Sequence, residues 1–339
     1  MENRLPRATL FCGDALGVLK TLPTESVRCC VTSPPYWGLR DYGVEGQLGL
    51  ETHPDAYVER LVTVFREVRR VLTGDGTLWL NLGDGYAAGG RGGGGAFMAE
   101  RREATWQKRS TLNGWRPPPT GLKAKDLVGI PWRVAFALQA DEWWLRSDII
   151  WAKPNPMPES VTDRPTRGHE YVFLLSKSAR YYYDAAPLRT PLKATSVSRL
   201  AQDVESQAGS INGPMKAVAR ADKQSGHGRQ HAGFNARWNA MSKDEQQAAG
   251  ANARTVWTIP TQAYSGAHFA TFPEELARRC LLAGSAVGDT VLDPFGGSGT
   301  VARVATANGR DSIYVDLNPA YVCLAEQRIG REQVTRAVS

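Results

Sequence analysis

The sequence predicts an α/β protein whose mainly parallel sheet is covered by helices. Three observations carry this. Short apolar runs alternate with helical-period segments at both ends of the chain, the pattern of strand–helix–strand units. The apolar runs are continuous rather than alternating, as buried parallel strands are. No apolar run reaches the roughly 18 residues of a membrane-spanning helix, so 339 residues with 42% hydrophobic content are read as a chain with a sizeable soluble core.

Residues 8–13 and 27–32 read as strands, with a short helix from Asp14 to Thr21 between them. Over 54–72, Tyr57, Leu61, Val64, Val68 and Val71 recur at helical spacing, with Gly74 as the expected stop and a strand from Thr77 to Leu82. From Tyr86 to Lys125 the pattern collapses into a glycine run (Gly89, Gly90, Gly92 to Gly95) and Pro117-Pro118-Pro119, read as a long insertion. A helix is expected over Asp126–Ala140, with Leu127, Ile130, Val134 and Leu138 inward, then strands near 145–151 and 170–176. The tryptophans Trp143, Trp144 and Trp151 are read as core or sheet-face residues.

Residues 185–262 form a second break, polar and rich in Ala, Ser, Gln and Gly, with an excess of basic side chains. Regular structure returns with a helix from Pro273 to about Gly284, a strand at 290–293, a helix from Gly299, a strand at 311–316 and a last helix from Pro319. The expected organisation is therefore 1–184, with its insertion at about 86–125, then 185–262, then 263–339.

The formal net charge of +7 favours a polyanionic partner without specifying one. Five cysteines, Cys12, Cys29, Cys30, Cys280 and Cys323, make no Cys-x-x-Cys pair, so neither a disulfide framework nor a zinc site is expected. His227 and His231 have ligand-like spacing but no accompanying carboxylate or cysteine cluster, so no metal is expected. Residues 1–9 lack the apolar core of a signal peptide, and a cytoplasmic location is the expectation.

Two motifs carry chemistry. Asp293-Pro294-Phe295-Gly296-Gly297-Ser298-Gly299-Thr300 follows an apolar strand and opens a helix. Its glycines allow a tight turn and close approach of a ligand, and free amides at the helix start favour an anionic group. Asp316, at the end of the next strand, suits ribose hydroxyls. The spacing is neither Gly-x-Gly-x-x-Gly nor a phosphate loop, and a plain glycine turn is the alternative. The second motif, Ser33-Pro34-Pro35-Tyr36, ends the strand Cys29–Thr32. Its prolines offer carbonyls without amides, Ser33 a hydroxyl, and Tyr36 a ring on which a planar base can stack. Alone, it is better read as a plain strand-end turn.

Together, and with Gly13-Asp14-Ala15-Leu16, Thr32 to Tyr42, Ile150 to Pro158 and His268 to Pro273, these segments resemble the amino-methylating DNA methyltransferases, in particular the circularly permuted β class with a Ser-Pro-Pro-Tyr motif. The resemblance runs from Thr9 to about Arg328, excluding the two irregular stretches. It implies a Rossmann-like methyltransferase fold, a mainly parallel sheet with one antiparallel strand, and S-adenosylmethionine as cofactor. It places Phe295, Gly296, Gly297 and Gly299, within the Asp293–Thr300 turn (Asp293, Pro294 and Thr300 included), at the cofactor's amino-acid end, Asp316 at its ribose, Asp14 at its adenine amine, and Phe272 and Pro273 at its methionine side. Ser33, Pro34, Pro35 and Tyr36 become the catalytic set, and 185–262 the target recognition region, with Arg229, His231, Arg237 and Trp238 as candidate DNA contacts.

A paired base cannot present its amine to a bound donor, so base flipping in double-stranded DNA is expected. Cytosine C5 chemistry needs a cysteine after proline in its family, and none of the five cysteines follows one. Ser33 at the first motif position favours cytosine N4 over adenine N6 by resemblance, and a cognate restriction endonuclease is a candidate partner. A catalytically silent nucleic-acid binder with the same fold is the rival reading.

Overall fold

A computed structural model describes residues 5–39, 42–87, 121–192, 240–242, 244–245, 249–262 and 272–337. The chain divides into two units, one of residues 1–184 with 254–339 and one of residues 185–253.

The larger unit holds a nine-stranded sheet of described residues: β1 (Ala8–Cys12), β2 (Val27–Thr32), β3 (Leu72–Leu82), β4 (Trp144–Ala152), β5 (His169–Ser176), β6 (Val256–Thr258), β7 (Thr290–Asp293), β8 (Asp311–Asp316) and β9 (Val334–Ala337). Their order is β6-β4-β5-β3-β2-β7-β8-β1-β9. Only β5 runs antiparallel to its neighbours β3 and β4; the other pairings are parallel. The single antiparallel strand and the α/β class are as the sequence led us to expect.

Among the described residues of this unit the α-helices are α1 (Ala15–Thr21), α2 (Pro54–Val71), α3 (Ile130–Ala140), α4 (Glu274–Gly284), α5 (Thr300–Ala307) and α6 (Pro319–Ile329). From β2 the chain moves outward to β3, and from β7 it moves outward in the opposite direction to β8. Right-handed crossovers then put their helices on opposite faces. In agreement, α2 packs with α1 and α3, and α5 with α4 and α6. The junction of β2 and β7 is thus the switch point, where the carboxyl ends of strands leave a crevice.

The α2 stripe is buried as expected, and Tyr57, Leu61, Phe65 and Val68 meet Leu19 of α1 and Val134 and Leu138 of α3. Arg70 ties these helices by donating to the Leu19 carbonyl (2.7 Å).

Three boundaries differ from expectation. Gly74 does not stop α2: the helix ends at Val71 and Leu72 already pairs with Val27. Burial of Leu72 against the core outweighs the glycine signal. Helix α3 starts at Ile130 rather than Asp126, after Gly129 at φ 78° and with Pro131 in its first turn. Leu127 therefore leaves the stripe and is exposed, bridging to Tyr86. The irregular segment read as 185–262 ends early, because the apolar side chains of Trp257 and Ile259 are buried and Val256–Thr258 joins β4. Trp143 and Trp151 are buried but Trp144 is half exposed.

In the smaller unit the described ends meet. Thr190 and Ala251 exchange backbone hydrogen bonds (3.0 and 2.8 Å), and Arg189 donates to the Ala249 carbonyl (3.1 Å).

Gly284 packs where no side chain fits: a Cβ would lie 2.6 Å from Cys29 Sγ, 2.7 Å from Trp79 Nε1 and 2.9 Å from Thr77 Oγ1. These neighbours sit in buried strands and have little room to move. Gly284→Ala is expected to cost about 1–3 kcal/mol through overpacking, read as a lower urea midpoint with an unchanged slope.

Candidate active site

The crevice collects polar ends of strands. Strand β2 is buried along Cys29 to Thr32 and stops where Pro34 and Pro35 supply no amide for a ladder. Tyr57 of α2 donates to the Pro35 carbonyl (2.7 Å) and pins the turn. Tyr36 folds back against Gly83, where a Cβ would stand 2.4 Å from Tyr36 Cε2. Only glycine at 83 admits this ring. Burial, followed by the neighbouring Glu170 carboxylate, pushes the Tyr36 phenol well above its ordinary value of 10.0, so it acts as a neutral hydroxyl.

Side chains from neighbouring strands complete this half. Asn81, near the end of β3, accepts from Ser33 Oγ (3.2 Å) and Tyr36 Oη (3.0 Å) at Oδ1. Its Nδ2 donates to the Tyr171 carbonyl (3.0 Å) and to Glu170 Oε2 (3.2 Å). Glu170 Oε2 also accepts from Tyr36 Oη (2.7 Å), while Lys153 donates to Glu170 Oε1. Lys153 Nζ sits 4.4 Å from the Trp151 ring centroid. Sequence reading missed Asn81 and Glu170, which lie in otherwise ordinary strands. The signal available was a polar residue interrupting each apolar run.

The other half stands on β7 and β8. Asp293 is buried, accepting from Thr32 Oγ1 (2.7 Å) and the Phe295 amide (3.1 Å). Burial raises its pKa from 3.8 to about 7, with Asp316 adding to the rise and the Thr32 and Phe295 donors opposing it. Gly296 cannot carry a side chain, since a Cβ would be 2.1 Å from the Tyr314 ring. Gly299 has φ 77° and would drive a Cβ to 2.6 Å from Ala325. Tyr314 Oη donates to the Gly297 carbonyl (2.7 Å). Asp316 accepts from the Gly297 amide at Oδ2 and the Asn318 amide at Oδ1, both at 2.8 Å. Arg328, also missed from sequence, donates to Ser298 O (2.9 Å) and Thr300 Oγ1 (3.1 Å), and pairs with Glu274 (3.2 Å), fastening the loop to α6 and α4.

Both halves line one cavity of about 290 Å³. Ser33, Pro34, Pro35 and Tyr36 face it on one side, and Asp293, Pro294, Phe295, Gly296, Gly297, Thr300 and Asp316 on the other. Asp14 and Phe272 also line it. Gly299 and Pro273 do not: they are the N-caps of α5 and α4 and shape the wall from behind. Asp14 caps α1 through Oδ2 to the Gly17 amide (2.8 Å). Leu39, Tyr42, Gln47 and Tyr321 enclose the cavity further, and Trp151, read from sequence only as a core residue, reaches it as well. Arg229, His231, Arg237 and Trp238 lie outside the described residues, as does His227.

The lining fits a nucleoside ligand bearing an amino-acid tail. Each Asp316 oxygen already holds one amide and keeps a lone pair for a hydroxyl. A Cβ on Gly297 would meet nothing within 4 Å, so the bare backbone there faces open space. Pro34 lines the cavity beside Ser33, and no described residue donates to its carbonyl.

The Thr32–Asp293 bond yields a test. Asp293 has a folded pKa above its unfolded value, so its favourable contribution is complete below about pH 4 and is lost as pH rises towards about 7. Thr32→Val removes a donor to the charged form and raises that folded pKa further. The variant is expected to lose about 1–3 kcal/mol at pH 8 and distinctly less at pH 5, measured by urea unfolding at both.

The N6/N4 methyltransferase family model, described as DNA methylase, matches residues 27–327. The chain is 46% identical over 326 residues to the Type II methyltransferase M.Cfr9I of Citrobacter freundii, covering 96% of this chain and 88% of that one. Among solved structures it resembles the TTHA0409 putative DNA modification methylase of Thermus thermophilus complexed with S-adenosyl-L-methionine, at TM-score 0.56 and 24% identity, with 98% of each chain covered. It likewise resembles the PvuII DNA methyltransferase (cytosine-N4-specific), at TM-score 0.57 and 18% identity, covering 98% of this chain and 92% of that one. With a family match over residues 27–327 and a relative 46% identical along nearly its whole length, the chain belongs to the N6/N4 DNA methylases.

Proposed function

We propose that the protein transfers a methyl group from S-adenosylmethionine to the exocyclic N4 of cytosine in duplex DNA, after flipping the base into the cavity. The observation that carries this reading is one cavity lined by Ser33 and Pro34 together with the Asp293–Gly297 loop. The cofactor supplies an electrophilic methyl group on a sulfonium. The protein supplies orientation and electrostatics. Asp316 accepts the ribose hydroxyls, Asp14 the adenine amine, and the bare glycine backbone lets the amino-acid tail approach. Phe272 and, from behind the wall, Pro273 shape the methionine side.

Ser33 and the Pro34 carbonyl accept the two N–H groups of the target amine. Holding both hydrogens turns the nitrogen lone pair out of ring conjugation and towards the methyl carbon. Tyr36 offers its ring to the base. The same geometry serves adenine N6, because both rings carry the same kind of amine; Ser33 at the head of the motif favours cytosine by resemblance. Residues 185–262 are assigned to target recognition, with Arg229, His231, Arg237 and Trp238 as contacts. A cognate restriction endonuclease is the fitting partner, given relatives named Type II methyltransferases, and chromosomal DNA as substrate goes with a cytoplasmic location.

Nucleoside mass spectrometry of DNA from expressing cells tests the reaction. N4-methylcytosine is expected with the intact protein and a loss of about 10²-fold or more in turnover with Ser33→Ala, cofactor binding being retained. N6-methyladenine instead would overturn the base assignment, and near-unchanged turnover would overturn the role of Ser33.

Burial raises Asp316 from 3.8 to about 6, with the Asn318 and Gly297 amides opposing the rise. Only the carboxylate accepts from both ribose hydroxyls. Cofactor affinity measured by calorimetry is therefore expected to weaken as pH falls below about 6, and Asp316→Asn to bind weakly with that dependence removed.

A further inference from the structure

Ser33 carries one hydrogen, and its chemistry depends on where that hydrogen points. Aimed at the substrate, it would meet an amine whose hydrogens also point outward. Aimed away, it leaves oxygen lone pairs for the amine. Two acceptors behind Ser33 are within reach: Asn81 Oδ1 at 3.2 Å and Tyr36 Oη at 3.4 Å. Tyr36 also has one hydrogen, and it too has a choice, between Asn81 Oδ1 at 3.0 Å and Glu170 Oε2 at 2.7 Å. Asn81 Oδ1 has two lone pairs, but it holds each hydroxyl less firmly when both turn to it.

Three features decide which hydroxyl turns to it. The amide of Asn81 is locked, because Nδ2 faces the Tyr171 carbonyl and Glu170, so Oδ1 must face the hydroxyls. A carboxylate is the stronger acceptor and stands closer, so Tyr36 gives its hydrogen to Glu170. Lys153 occupies Oε1 of the same carboxylate, so Oε2 is the oxygen presented to Tyr36 and Asn81. Asn81 Oδ1 is then left to Ser33.

We propose that Glu170, oriented by Lys153, is a positioning residue that fixes the direction of the Ser33–Asn81–Tyr36 hydrogen bonds so that Ser33 presents lone pairs, not its hydrogen, to the target amine. This inference rests on Ser33 facing that amine. The placement follows from topology: β5 runs antiparallel, so its amino end lies beside the carboxyl ends of β3 and β4. Glu170 pairs with Trp151 in register, and Lys153 follows β4 by one residue. No parallel strand would bring its first residues to this edge.

Glu170→Gln separates direction from shape. Lys153 retains the amide oxygen, which turns the new NH₂ towards Tyr36 Oη and Asn81 Nδ2. Tyr36 then accepts from residue 170 and gives its own hydrogen to Asn81 Oδ1, where it shares the oxygen with Ser33 and loosens that bond. The measurements are kcat and KM for DNA, calorimetric cofactor affinity, and activity of the double variant with Tyr36→Phe, which removes the competing hydroxyl and keeps the ring.

The expected result is a fall in kcat of about 10-fold or more for Glu170→Gln, with cofactor affinity and KM nearly unchanged. Adding Tyr36→Phe should raise kcat above that of Glu170→Gln alone, because Ser33 no longer shares Asn81 Oδ1. Multiplicative losses in the double variant would overturn the proposal. So would a kcat near wild type, or cofactor binding lost together with activity, which would mark Glu170 as structural only. Ser33→Ala serves as the control: if it stays active, the reading of the site fails; if it is inactive while the two substitutions multiply, only the role of Glu170 fails.

Discussion

The site depends on one hydrogen bond at the centre of the sheet. Thr32 Oγ1 reaches Asp293 Oδ1 across the seam between β2 and β7, joining residues 261 positions apart in sequence. Ser33 follows Thr32, and the glycine loop follows Asp293. One motif therefore begins one residue after the bond and the other begins at it, and their separation is set by it. A buried carboxylate is costly unless donors surround it. Here the donors are the strand that carries one motif and the backbone of the other, so the cost of burial enforces their alignment.

The rest of the sheet delivers polar groups to the same edge. Parallel strands end together, and β1, β2, β3, β4, β7 and β8 contribute Asp14, Ser33, Asn81, Lys153, Asp293 and Asp316 at or beside their carboxyl ends. The antiparallel β5 contributes Glu170 from its start. The two helix layers bury the apolar stripes and carry no reacting group into the cavity except at their ends. Glycines at 83, 296 and 299 remove the side chains that would obstruct Tyr36, Tyr314 and Ala325. Stability and chemistry are thus divided along the strands, with apolar residues along their length and polar residues at one end.

Polar groups in this edge are few, and nearly every one is used twice. Asp316 holds two backbone amides and keeps lone pairs for hydroxyls. Asp14 caps a helix and lines the cavity. Glu170 balances Lys153 and also bonds Tyr36 and Asn81. An ion pair sheltered from water, with both side chains less than one-fifth exposed, contributes little net stability. Its value here lies in giving the hydrogen bonds a direction.

The sequence alone determined both motifs and most of the elements, but not β6 or β9. Apolar periodicity marked the helices and strands, and the stripe Tyr57, Leu61, Val64, Val68 and Val71 is buried as its spacing requires. Local chemistry suffices for these, since proline, glycine and residue periodicity act over a few neighbours. Boundaries failed where tertiary burial competed with local signals, at Leu72 against Gly74 and at Trp257 within a polar stretch. Asn81, Glu170 and Arg328 were invisible for a different reason. Each is a single polar residue in an ordinary strand or helix, and its meaning arises only from partners 17 to 134 positions away. Sequence spacing encodes what neighbours along the chain do. Which strand lies beside which, and so which side chains share one edge, is decided by the packing of the sheet.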